Sequence, residues 1–140
     1  MNKRDLEHFS QLDELVRNAR THVRELLDNH YEVISHKNLD RKIYEMDLFK
    51  DVTRLLTRKW AVEILWELEI HLEMSFNDLS RHLKGISSRT LSDTLKDLTD
   101  YNLIVREVLD THPPQVEYYL TDRGKGIVEL SMLIIWHLIK

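Results

Sequence analysis

Five cations gather in a short stretch of this chain: Arg81, Lys84, Arg89, Lys96 and Arg106. Among them stand Ser87, Ser88, Ser92 and Asp93, short polar side chains that can donate to or accept from the edge of a base. An arginine early in a helix can meet guanine O6 and N7 with two parallel hydrogen bonds, while a lysine further along acts as a point charge on phosphate. Ser87 stands at an N-cap position, so the free N–H groups of the turn it opens are also available to a phosphate. His112 and Gln115 belong to a later loop that can lie along a groove or backbone. The chemistry these residues support is reversible binding of double-stranded DNA.

Covalent and metal chemistry find less support. There is no cysteine, which excludes disulfides, thiol nucleophiles and cysteine-ligated metal. Eight histidines (His8, His22, His30, His36, His71, His82, His112 and His137) include no pair at the four-residue spacing of a helical zinc motif. No metal site and no cofactor are expected. Three glycines leave no phosphate-cradling loop, and no Gly-x-Ser-x-Gly elbow or nucleophile–base pair appears. The carboxylates fall on amphipathic faces, where solvation accounts for them. The chain is read as a non-enzyme.

The elements that must position the cations follow from periodicity. Ser75 caps a short helix over residues 76–83 with Phe76, Leu79 and Leu83 on one face. Lys84-Gly85-Ile86 is a tight turn. Ser87 caps a second helix over 88–101, whose Leu91, Leu95 and Leu98 face inward and leave Ser88, Arg89, Ser92, Asp93 and Lys96 outside. Asn102 ends it, because asparagine tolerates the left-handed conformation that stops helices. Residues 103–109 and 116–121 alternate as strands, joined by a loop whose Pro113-Pro114 pair cannot lie in a helix interior or a central strand. Helix, turn, helix, then hairpin is the order of a winged helix-turn-helix, in which the second helix enters a major groove ~12 Å wide.

On either side lie further helical patterns. An apolar stripe over residues 6–27 precedes a polar break at Ser35-His36-Lys37-Asn38; helices over 43–56 and 60–68 follow. Trp60, Trp66 and Trp136 sit at spacings that suit a core, with an effector pocket as the alternative. Residues 122–140 form a last helix, apolar over nearly its whole circumference after Ile127, which must be buried by something. The expected fold is therefore mainly α (α+β). A winged helix-turn-helix domain with a two-stranded β wing (48–126) lies between an N-terminal helical extension (1–47) and a C-terminal helix (127–140), both assigned to dimerisation.

Composition sets the limits. In 140 residues, 42% apolar and 31% charged content fit one soluble globular domain with an appendage. The net charge of −4 makes the whole chain a poor partner for DNA, so the binding face must be a local basic patch on an acidic body. The start shows no secretory pattern, and the longest near-continuous apolar stretch, residues 132–139, falls far short of the ~20 residues of a spanning helix. A cytoplasmic protein without a membrane partner is the expectation.

Several blocks resemble the HxlR-type winged-helix transcriptional regulators, relatives of the MarR group. They are Leu55-Leu56-Thr57-Arg58-Lys59-Trp60, Phe76-Asn77-Asp78-Leu79 and the Gly-Ile-Ser-Ser-Arg-Thr-Leu-Ser-Asp-Thr-Leu-Lys-Asp-Leu run of residues 85–98. Leu103-Ile104-Val105-Arg106 and Pro113-Pro114-Gln115-Val116-Glu117-Tyr118-Tyr119-Leu120-Thr121-Asp122-Arg123-Gly124 complete the match over residues 55–124. The resemblance implies a cytoplasmic homodimer on a pseudo-palindromic operator. It puts Ser88, Arg89, Ser92 and Lys96 at recognition-helix positions and residues 112–115 on the wing. Three departures stand out: Arg58 and Asn102 replace common glycines, and the cysteine through which several members sense oxidants is absent. A winged helix can also serve as a protein–protein interaction module in a larger assembly, and that remains the alternative. The residues name no small-molecule effector.

Overall fold

The computed structural model describes residues 3–37 and 39–139. In chain order these form α1 (Lys3–Lys37), α2 (Leu39–Leu56), α3 (Ala61–His71), β1 (Glu73–Ser75), α4 (Phe76–His82), α5 (Ser88–Asp100), β2 (Ile104–Leu109), β3 (Gln115–Leu120) and α6 (Asp122–Ile139). Most of the chain is helical, with one small antiparallel sheet of order β1-β3-β2. The expected β wing has two strands; the sheet has three, because Glu73-Met74-Ser75 pairs with β3. The polar break expected at residues 35–38 is shorter than anticipated. Helix α1 runs through Asn29 and His30 to Lys37, α2 starts at Leu39, and Asn38 lies outside the described residues, as do the side chains of Leu6, His8 and His36. No helix among the described residues is long and apolar enough to cross a membrane.

The chain divides into two compact units, one built from residues up to Lys50 and from Ser131 onward, the other spanning residues 51–130. The second unit holds the winged helix. Leucines at helical spacing converge there: Leu65 and Leu68 from α3, Leu79 from α4, and Leu91, Leu95 and Leu98 from α5 are all buried. Truncating any of these to alanine costs about 2–5 kcal/mol in a packed core. Ser75 opens α4 with a reciprocal capping box: its Oγ accepts from Asp78 N at 3.1 Å, and its own N–H donates to Asp78 Oδ2 at 3.3 Å. The Ser75 hydroxyl also donates to Asp78 Oδ2 at 2.8 Å, and this bond most of all, then the Ser75 N–H and the Arg81 guanidinium, hold the Asp78 carboxyl below its usual range.

The end of α5 decides where the wing begins. Asn102 takes φ +57°, so Leu103 N donates to Leu98 O at 2.9 Å and Asn102 N to Thr99 O at 2.9 Å. This is the left-handed stop with paired back-bonds, accompanied by burial of both Leu98 and Leu103. The Leu103 carbonyl then receives Thr121 N at 3.0 Å and Thr121 Oγ1 at 3.1 Å, while Thr121 Oγ1 accepts from Gly124 N at 3.0 Å and so caps α6.

In the other unit Trp136 is buried. Its ring stacks on Phe9 with centroids 5.5 Å apart, and its Nε1–H donates to Asp13 Oδ1 at 2.7 Å. His30 and Arg41 both meet Glu45, at 2.7 and 2.9 Å, and hold its carboxyl below the usual range, His30 contributing most.

Gly124 has no room for a side chain. A Cβ there would collide with the Leu103 carbonyl oxygen and come within 3.0 Å of its carbon, both backbone atoms. Gly126, two residues on, has open space around the equivalent position. Gly124→Ala should therefore destabilise the protein by about 2–3 kcal/mol. Gly126→Ala should instead stabilise it by about 0.5–1 kcal/mol through helix propensity. Urea unfolding midpoints of the two variants against the parent check both signs.

Candidate nucleic-acid interface

Helix α5 is fixed on one side and free on the other. Ser87 Oγ accepts from Thr90 N at 3.1 Å and donates to Thr90 Oγ1 at 2.8 Å. Leu91, Thr94, Leu95 and Leu98 are buried, and the Thr94 hydroxyl is satisfied by Thr90 O at 2.7 Å. Ser88, Arg89, Ser92, Asp93 and Lys96 occupy the opposite side and are exposed. The turn from α4 needs Gly85, whose φ of +91° other residues adopt only under strain. Ile86 half-buries behind it and donates its N–H to Leu83 O at 3.2 Å.

The expected cations differ in how they are held. Arg81 ion-pairs with Asp78 on its own helix, and Lys84 is exposed in the turn. The Arg89 side chain is 93% exposed, with Nε 3.9 Å from Asp93 Oδ2. A helical pair that open to solvent contributes only about 0.3–0.5 kcal/mol, so the guanidinium can leave Asp93 for a better acceptor. Arg58, where the HxlR pattern often has glycine, ion-pairs with Asp97 and ties the α2–α3 connection to α5. Periodicity had no means of finding that contact across 39 residues.

The sheet sorts charge by its pleat. Register places Arg106 opposite Tyr118 and Met74 beside Tyr118, on the face that turns to the core. Glu107 stands opposite Glu117, and Glu117 opposite Ser75, on the other face with Glu73. Arg106 therefore shares its side with the helices, and the carboxylates gather away from it. The wing loop is organised by Thr111, a residue the sequence reading passed over: its Oγ1 donates to Pro113 O at 2.8 Å and accepts from Gln115 N at 3.1 Å. A hydroxyl two residues ahead of a proline was the available signal. His112 and Gln115 are exposed at this tip, and the His112-Pro113 peptide is cis. Trp60 and Trp66 pack against the core of this unit.

Glu117 carries the cost of the acidic face. Partial burial, then Glu73, then Glu107 and Asp78 push its carboxyl above the usual range. A group raised in the folded state contributes fully below its unfolded value and loses that contribution as pH rises through its folded value. At neutral pH the ionised Glu117 therefore opposes folding. Glu117→Gln should raise the thermal midpoint at pH 7, and the gain should fade once the pH drops below ~4, where the parent carboxyl is protonated in both states. Calorimetric melting across that range measures it.

Comparison with known proteins agrees with this geometry. The family model described as HxlR-like helix-turn-helix matches residues 55–139. The protein named as the regulatory protein MalR of Fusobacterium mortiferum is 40% identical over 76 residues, covering 54% of this chain and 72% of that one. A solved transcriptional regulator of the MarR family from Enterococcus faecalis superposes with a TM-score of 0.59 at 29% identity, over 67% of this chain and 86% of the other. The redox regulator HypR in its oxidized form superposes with a TM-score of 0.56 at 26% identity, over 61% and 88%. With its matched residues running from the end of α2 through the whole of α6, the chain belongs to the HxlR-like helix-turn-helix family of DNA-binding transcriptional regulators.

Proposed function

We propose that the protein is a sequence-specific, cytoplasmic transcriptional regulator that binds a pseudo-palindromic operator as a homodimer. The observation that carries this reading is the two-sidedness of α5: a leucine stripe locked in the core behind a wholly exposed polar and cationic face. In this reading α5 lies in the major groove. Arg89, Ser92 and Asp93 face base edges, and the Ser87–Ser88 turn receives a phosphate. Arg81, Lys84, Lys96 and Arg106 meet backbone phosphates, and His112 and Gln115 follow the wing to the adjacent groove. Residues 48–126 read the DNA.

Residues 1–47 and 127–140 assemble the dimer. Large apolar side chains stand in water along α1, α2 and α6 of the single chain. Leu26 is 70% exposed, Leu39 69% and Leu138 76%, and Ile43, Leu130 and Ile134 are exposed with them. Scattered exposed leucines are ordinary, but runs of them on three helices mark a surface that something covers. A second copy, related by a two-fold axis, covers like with like. Trp136 does not take part, because Phe9 and Asp13 of its own chain already bury it. Thiol switching is closed to this chain, which has no cysteine.

Arg89→Ala and Lys96→Ala should differ. The first should remove ~1–3 kcal/mol of discrimination at one base position. The second should weaken all sequences alike and shallow the salt dependence by about one unit. Selection from a random DNA pool, followed by titration at several salt concentrations, reads both. Variants that bind operator and random DNA as the parent does would overturn the placement of α5, and a parent that selects no DNA at all would favour an interaction module.

Assembly is tested separately. Ile134→Glu with Leu138→Glu should convert a dimer to a monomer in sedimentation, with affinity for a two-half-site operator falling towards that of one half-site. A parent that sediments as a monomer while holding both half-sites tightly would overturn the dimer.

A further inference from the structure

We propose that Glu67, His71 and His82 form a zinc-binding site in the winged-helix unit. Glu67 and His71 are four residues apart on α3, which sets them on one face. His82, the last residue of α4, is carried to the same face by the reversal of the chain through β1. Glu67 Oε2 lies 3.4 Å from His71 Nε2 and 3.0 Å from His82 Nδ1. The two imidazoles meet edge to face with centroids 4.8 Å apart, and all three potential ligand atoms lie within 4.8 Å of one another.

Those separations suit one small ion. Bonds of about 2.0–2.2 Å in tetrahedral geometry place zinc ligand atoms about 3.3–3.5 Å apart. Both distances from the carboxylate are already close to that, and the histidine–histidine edge closes by rotating an exposed imidazole. Two nitrogens and one carboxylate oxygen fit zinc better than calcium or magnesium, which call for several oxygens. His71 and His82 are each the final residue of a helix, where the negative end of the backbone dipole favours a cation. Glu67 is the more sheltered ligand, with 25% of its side chain exposed against 43% and 41% for the histidines, so the fourth position faces solvent and takes water.

A bound ion would clamp α3 to α4, the helix directly before the turn into α5. Ligand that binds only the folded state adds to its stability. The histidine spacing alone concealed the site, since His71 and His82 are eleven residues apart and meet only through topology.

The experiment uses the untagged full-length protein after metal removal, titrated with zinc chloride against a chromophoric chelator and, separately, with cobalt chloride. One zinc per chain is expected, with the visible absorption bands of a tetrahedral cobalt site and a rise in melting midpoint on zinc addition. His71→Ala and His82→Ala should each weaken zinc at least about tenfold and abolish the rise, with circular dichroism unchanged because both side chains are exposed. His22→Ala, on α1, should bind as the parent does. Absence of saturable one-to-one binding, or binding that survives both single substitutions, would overturn the proposal.

Discussion

Everything in the winged-helix unit turns on the backbone at Leu103. Its N–H closes the stop of α5 on Leu98 O, and its carbonyl takes both the N–H and the hydroxyl of Thr121, the residue that caps α6. The Thr121 hydroxyl also reaches Asn102 O at 2.8 Å. One residue thus joins the end of α5, the start of β2, the end of β3 and the start of α6. Gly124 is required because the α6 backbone presses on that same carbonyl. The end of α5 is thereby fixed by backbone bonds together with the Thr121 hydroxyl. The leucine stripe sets the rotation of α5; the Leu103 junction sets its length and the departure angle of the wing.

Charge follows from the same scaffold. A chain of net charge −4 must separate its acids from the DNA face by geometry. The pleat does this in the sheet, since side chains one residue apart point to opposite faces. Arg106 and Glu107 are neighbours in sequence and opposites in space, and Glu107 is set against Glu117 by register. Partial burial raises Glu117 most, and the carboxylates crowded on its face add to the rise. In α5 the remedy is pairing: Asp97 is occupied by Arg58, which leaves the cations of the outer face less countered.

What could be read from the sequence was local. N-caps at Ser75 and Ser87, the leucine spacings of α4 and α5, the stop at Asn102 and the proline loop are each signalled by residues within one or two turns of the event. The third strand was not legible, because three residues, Glu73-Met74-Ser75, are too few to show alternation and take their structure from β3. Nor did anything local reveal that α1 would pass through Asn29 and His30, a position where Glu45 of α2 supplies a partner. The candidate DNA residues were legible as polar positions on two predicted helices, the turn between them, and the strand and loop of the wing. The pairings that set their electrostatics, Arg58 with Asp97 and Arg81 with Asp78, mix one unreadable long-range contact with one ordinary three-residue step. Trp136 was legible as a core position but its partners were not, because Phe9 and Asp13 are more than a hundred residues away.

The two units differ in how far they can stand alone. Among the described residues, every buried large apolar side chain except Trp136 lies between Leu55 and Val128. The winged-helix unit therefore carries its own core. The other unit has the length of α1 and much of α2 and yet buries little, so its helices gain most of their stabilisation only when their apolar faces are covered. Propensity alone sustains helices of this composition poorly in water. Under the proposed dimer the order of α1 and α2 would depend on chain concentration, while the fold of residues 51–130 would not. In that proposal the winged helix is stable before assembly, and assembly supplies the second copy of it that a two-fold operator requires.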